Sequence, residues 1–135
     1  RDSGGEVWFE PAMVVTYRPR PSLRALASQY RQYGTWKRVM LKRHPRSLRA
    51  RQLVAPVMVV GVTGTAAVAA WTEDPRWLLP AVTYAAAVTV GGLAAGRSAP
   101  TVSRIRVPAA LAVMHWAWGL GFLFGRPVPP PVAED

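Results

Sequence analysis

The side chains best equipped for chemistry in this sequence are cationic. Arg31, Lys37, Arg38, Lys42 and Arg43 lie close together, and the longer stretch 18–51 holds 11 Arg and Lys with no Asp or Glu. Such a stretch suits phosphate, because a guanidinium fork meets two phosphate oxygens at once and an ammonium acts as a compact point charge. Other chemistry is scarce. With no Cys there is no disulfide, thiolate metal site or cysteine nucleophile, and His44 and His115 alone cannot build a metal centre. No metal ligand set is therefore expected within this chain. His115 and the Tyr84 phenol are the titratable groups inside otherwise uncharged stretches. An ionisable residue at membrane depth is a functional candidate by default, although a neutral His bonded to a helix carbonyl is the commoner arrangement.

The elements that must carry these residues follow from how charge is distributed. The chain has 135 residues, 17 Lys+Arg against 7 Asp+Glu, and a formal charge of +10, which leaves room for one small domain and excludes a second catalytic one. Half of it is apolar while the mean hydropathy is only +0.09, so greasy and charged residues are segregated. Segments 53–71, 77–96 and 107–125 contain no charged residue. About 20 apolar residues cross a hydrocarbon core of about 30 Å, so each segment predicts a transmembrane helix. Pro56, Pro80 and Pro108 sit near their starts, where a missing N–H costs least. Basic stretch, acidic connector 72–76, basic connector 97–106 and acidic tail 126–135 then place residues 1–52 in the cytoplasm and the C-terminus outside. Trp71 and Trp77 flank the acidic connector as an aromatic belt would. Gly92 to Gly96 and Gly121 to Gly125 are GxxxG matches, read as close packing within the chain before dimerisation.

Ahead of the spans, 5–11 and 13–17 are short β-type runs rich in Val and aromatics and broken by Pro11. Two strands alone are marginal in water, and the chain opens without Met or a signal peptide, so it reads as a C-terminal fragment. Pro19 and Pro21 give way to Ser22, a good N-cap for a helix over 23–43. Leu23, Leu26, Tyr30, Tyr33, Lys37 and Met40 or Leu41 recur at helical steps as its apolar stripe, other faces are basic, and Gly34 weakens it. A basic amphipathic helix before a span suits a membrane interface, its cations turned to lipid phosphates or to an anionic ligand. Composition alone leaves those two roles level.

The order Gly4-Gly5-x-Val7-Trp8-Phe9-x-Pro11, Val15-Thr16-Tyr17-Arg18-Pro19-Arg20, Leu23 to Leu26, and Gln29-Tyr30-x-x-Tyr33-Gly34-x-Trp36-Lys37-Arg38 resembles the C-terminal end of membrane-anchored bacterial family 2 glycosyltransferases, the succinoglycan-biosynthesis type included. The ending His115-Trp-Ala-Trp-Gly119-Leu-Gly121-Phe-Leu-Phe-Gly125 is similar to the last span of the same proteins. The resemblance implies a cytosolic GT-A domain of α/β type upstream, carrying the carboxylates for a divalent metal (Mg or Mn), for the nucleotide sugar and for base catalysis. None of these lies in this chain, and Asp2 falls on a variable position. It also implies an acceptor-site element, Gln-x-x-Arg-Trp. Gln32-Tyr-Gly-Thr-Trp36 keeps its Gln and Trp but has Thr35 in place of Arg, which speaks against processive synthesis; Gln29 offers a second polar candidate. A Trp face stacked on a sugar and an amide bonded to its hydroxyls would suit acceptor recognition. Trp36 as a plain membrane anchor is the alternative.

The expected protein is thus mainly α and membrane-embedded: the end of a GT-A α/β domain, with two short strands (1–21) and a basic amphipathic interfacial helix and linker (22–52), then three transmembrane helices (53–125) and a Pro-rich tail (126–135). It is expected in a bacterial inner membrane, multi-pass, meeting membrane lipids. Its parent enzyme would move a sugar from a nucleotide donor to a lipid-linked or polysaccharide acceptor, and this fragment alone should be inactive. The rival from another class is a small non-enzymatic membrane protein whose basic segment binds anionic lipid or a partner. Nucleic-acid binding ranks last, since juxtamembrane basic residues need no such partner.

Overall fold

In a computed structural model, residues 4, 8, 10–14, 16 and 22–127 are described. The order is α1 (Leu23–Arg43), α2 (Val54–Thr72), α3 (Leu79–Ala95) and α4 (Thr101–Phe124), with single 3-10 turns at Pro45–Ser47, Ala50–Gln52 and Pro75–Leu78. Half of the residues of the two β-type runs and most of the tail lie outside the described residues. Among those described, Pro11 and Ala12 form a turn, closed by the Met13 N–H donating to Glu10 O at 3.2 Å, and none is in a strand.

Local chemistry sets the helix ends. Ser22 Oγ accepts from the Ala25 N–H at 3.2 Å and starts α1, while Lys42 and Arg43 in the last turn complement its negative C-terminal end. Pro56 sits in the first turn of α2, and Glu73, left-handed at φ 56°, ends that helix. Asp74 then accepts from the Arg76 N–H at 3.0 Å to start the turn that leads into α3. In α2, Thr63, Thr65 and Thr72 donate back to Val59 O, Gly61 O and Val68 O at 2.6–2.8 Å, so each hydroxyl is bonded inside its own helix. Three runs, Val54–Thr72, Pro75–Ala95 and Thr101–Phe124, are long and apolar enough to cross a membrane.

The third of these starts earlier than the charge pattern suggests. Pro108 does not open α4, which runs through it from Thr101 and includes Arg104 and Arg106. The accommodation comes from α3: a Cβ at Gly92 would lie 2.8 Å from Pro108 Cα and Cγ, so the missing side chain is what admits the proline. Gly96, one turn on, meets Arg104 and Val107. The first GxxxG pair is therefore spent on an antiparallel α3–α4 hairpin. Arg104 Nε donates to Leu93 O at 3.2 Å across it, and Tyr84 and His115 face each other further along with ring centroids 6.2 Å apart.

The second pair joins α4 to α1. Gly121 meets the Arg31 backbone, Gly125 meets Thr35, and Gly34 in turn meets the Trp118 carbonyl and the Phe122 N–H. Gly34 thus marks the closest approach rather than a weakness, and the packing face is Arg31, Gly34, Thr35 and Arg38 rather than the Leu and Tyr stripe, whose Leu23, Tyr33 and Met40 stay exposed. Residue numbers rise together along the seam, so α1 and α4 run in the same direction there; a helix laid across the head of a bundle would meet α4 crosswise. Gly119 takes the start of α2, against Ala55 and Val59. Small residues fill the interior, with Val59, Ala69 and Ala117 its buried apolar members, while Val57, Val82, Val90, Trp71 and Phe124 point outward.

If these glycines set the seam, Gly121→Ala should cost about 1–3 kcal/mol through overpacking. Gly61→Ala, where a Cβ meets nothing within 4 Å, should be neutral or gain up to about 1 kcal/mol of helix propensity. Thermal unfolding of the detergent-solubilised protein compares them, and equal behaviour of the two variants would remove the seam from its central place.

Candidate functional site

Helix α1 presents two faces with different chemistry. Toward α4, the Thr35 hydroxyl donates to Arg31 O at 2.9 Å and to Gly121 O at 3.2 Å, tying its own helix to the neighbour. Arg38 extends the tie: Nη1 donates to Leu123 O at 2.7 Å and Nη2 to Gly125 O. The last carbonyls of a helix have no intrahelical donors, and a guanidinium can serve two of them at once. Lys37 also turns inward, its Nζ donating to Ser47 O at 3.0 Å and to Ser47 Oγ at 3.4 Å, while Ser47 Oγ donates to His44 O at 2.7 Å. Lys37 thereby holds the 3-10 turn after α1 in place.

Of the five cations expected to meet phosphate, Lys37 and Arg38 are therefore spent on protein carbonyls. Arg31, Lys42 and Arg43 are exposed. Arg31 borders a groove of about 580 Å³ between α1 and α4, with Trp116, Leu120 and Phe124 on the other wall. Arg43 lines an open hollow with His44, Arg46 and Ser47. Arg46 and Ser47 were not singled out by the sequence; the signal for Ser47 is a basic side chain ten residues upstream at the end of a helix, too weak to use alone.

The opposite face of α1 carries the residues implied for acceptor recognition. Gln29, Gln32, Tyr33 and Trp36 share it at helical spacing; Gln32 is exposed, Tyr33 and Trp36 are about half exposed at 51% and 47%. Gln29 Nε2 donates to Tyr33 Oη at 2.6 Å, which fixes the phenol beside the exposed indole. Gln32 and Trp36, one turn apart, form an amide-and-indole pair open to the surroundings. Thr35, standing where the resembled element has Arg, belongs to the α4 seam instead. No three His, Asp or Glu side chains gather among the described residues, so the divalent metal implied by the resemblance has no fitting ligand set there, and no step below runs through one.

Arg38→Ala should loosen α1 from α4 and cost about 1.5–3 kcal/mol, the usual worth of hydrogen bonds from a charged donor. Arg43→Ala should stay within about 0.5 kcal/mol, as exposed substitutions do. Unfolding in detergent, with protease sensitivity of residues 43–53 as a second readout, separates an anchoring arginine from a surface one.

Compared with family models, curated proteins and solved structures, the chain matches none.

Proposed function

We propose that this chain is the C-terminal membrane portion of a glycosyltransferase that moves a sugar from a nucleotide donor to a lipid-linked or polysaccharide acceptor at the cytoplasmic membrane face. The observation that carries this reading is the exposed α1 face with Gln32 and Trp36 one turn apart, held against helices of membrane length. An indole offers a flat apolar face to the C–H side of a sugar ring, and an amide offers a donor and an acceptor to its hydroxyls. Base catalysis and leaving-group stabilisation would come from a GT-A domain joined upstream, with its strands ending in residues 1–21. The share supplied here is the anchor, the cationic surroundings and one wall of an acceptor groove. The second reading, a non-enzymatic membrane protein, draws on a different observation: no acidic residue lies between Glu10 and Glu73, a span that includes the exposed Arg31, Lys42, Arg43 and Arg46. Such a field attracts anionic lipid without any catalytic partner.

Charge bias supports a multi-pass protein of a bacterial inner membrane with residues 22–52 and 97–106 inside and the 72–76 connector outside. It also puts the tail outside. The bond from Arg38 to Gly125 pulls the other way, since it brings the basic segment and the end of α4 together. An impermeant thiol reagent added to intact cells should label cysteines placed at Asp74 and Glu134 and spare one at Ser103. Protection at 134 with labelling at 74 would mean that the end of α4 shares the cytoplasmic side with α1.

Acceptor recognition has its own test. In the full-length enzyme, Gln32→Ala should remove a hydrogen bond of about 0.5–1.5 kcal/mol, a roughly two- to tenfold loss in transfer efficiency, and Trp36→Ala should add a stacking loss. Membrane insertion should survive both. An anchoring role predicts that Trp36→Phe restores full transfer and that Gln32→Ala changes nothing. Normal sugar transfer in the double alanine variant, at matched protein level, ends the acceptor reading.

A further inference from the structure

Two cavities meet at the start of α2 and differ in character. The first, about 340 Å³, is lined by Arg51, Gln52, Tyr30, His115 and Trp118. The second, about 240 Å³, is almost wholly apolar, with Met58, Ala87, Val88 and Leu111 in its walls. Ala55 and His115 line both. Gln52 Oε1 accepts from the Arg49 N–H at 3.1 Å, which fixes the amide beside the mouth and leaves its NH2 as a donor. Arg51 is exposed there, and the nearest acidic residue downstream in sequence is Glu73, at the far end of α2.

We propose that these paired cavities form a binding site for one membrane lipid with an anionic phosphate headgroup. The phosphate sits at Arg51 and the Gln52 amide, and the hydrocarbon chain passes Ala55 and His115 into the apolar cavity. Polarity argues for an amphiphile, since a chamber that offers Arg51 and Gln52 among largely apolar walls, next to an almost wholly apolar one, matches neither a free ion nor a plain hydrocarbon. Charge argues for an anion: a guanidinium and an amide NH2 are donors, and no carboxylate lines either cavity. Position argues for a lipid, because Arg51 lies three residues before an apolar helix of membrane length, at the depth where headgroups lie. Tyr30 and Trp118 also line this cavity, adding amphipathic rings to its wall. The site rests on the membrane reading alone and does not require sugar transfer, so either can fail without the other.

Native mass spectrometry of the intact protein in detergent, titrated with dioleoyl phosphatidic acid and with dioleoyl phosphatidylcholine, tests it. Phosphatidic acid should bind at least about fivefold more tightly, the effect expected of one cation near a headgroup. Arg51→Gln should abolish most of that preference, Arg51→Lys should keep it, and Arg76→Gln, at the other end of α2, should leave it unchanged. Ala87→Leu, which fills the apolar cavity, should weaken phosphatidic acid binding with Arg51 intact and the melting temperature unchanged. Equal affinities for the two lipids, or an unaltered preference in Arg51→Gln, would overturn the proposal. Displacement of the lipid by millimolar inorganic phosphate would overturn it too, by making the site one for a free anion.

Discussion

Everything else in this chain depends on how closely α1 and α4 approach. Gly34, Gly121 and Gly125 each remove a Cβ that would collide with the facing backbone or with Thr35. Lipid tails are as apolar as leucine, so helices that meet in a membrane gain little from hiding leucines; they gain from contact area and from hydrogen bonds that the bilayer cannot replace. The seam uses both. Backbone-to-backbone contact brings Thr35 within reach of Gly121 O and Arg38 within reach of Leu123 O and Gly125 O. Those bonds would be out of range if any of the three glycines carried a larger side chain. The same contact fixes which face of α1 is left over, and so which residues can meet anything outside the bundle.

A second consequence is the inverted distribution of size. Gly34, Thr35, Ala69, Ala117, Gly119 and Gly121 lie inside with Val59, while Val57, Val82, Val90, Trp71 and Phe124 lie outside. In water this would be a large exposed apolar surface, of the kind that marks an interaction site; beside hydrocarbon it costs nothing. The Thr hydroxyls of α2, each bonded to a carbonyl one turn back, fit the same medium, since an unbonded hydroxyl there would carry a desolvation penalty.

The long apolar helices were legible because they depend on two local quantities, length and absence of charge. The charge-free segments 53–71 and 77–96 differ from the structural runs Val54–Thr72 and Pro75–Ala95 by at most two residues at either end. The start of α4 was not legible, since Pro108 looks like a helix start until the notch at Gly92 that receives it is known. Gly34 was misjudged for the same reason: propensity counts it as a cost, and only the partner helix turns it into a contact. The cations failed differently. Arg31, Lys37, Arg38, Lys42 and Arg43 have equal claims by charge, and nothing local separates Lys37 and Arg38, which find carbonyls on Ser47 and α4, from Arg31, Lys42 and Arg43, which remain exposed.

That sorting of cations bears on what the basic segment can do. A stretch of 11 positive charges suggests a uniform electrostatic patch, yet two of them act as structural donors and hold α1 and its following turn in fixed positions. The exposed remainder is then presented from a rigid frame: Arg31 at the α1–α4 groove, Arg43 and Arg46 around the turn after α1, Arg51 at the mouth of the α2 cavity. Fixed placement matters because a headgroup bound by a positioned guanidinium loses less freedom per hydrogen bond than one held by a diffuse field. On the far side of α1, the Gln29–Tyr33 bond and the exposed Gln32 and Trp36 have the same rigid backing. One close-packed seam of glycines thus gives the helix two separate outward-facing chemistries, a cationic side and an aromatic-amide side, without a large hydrophobic core.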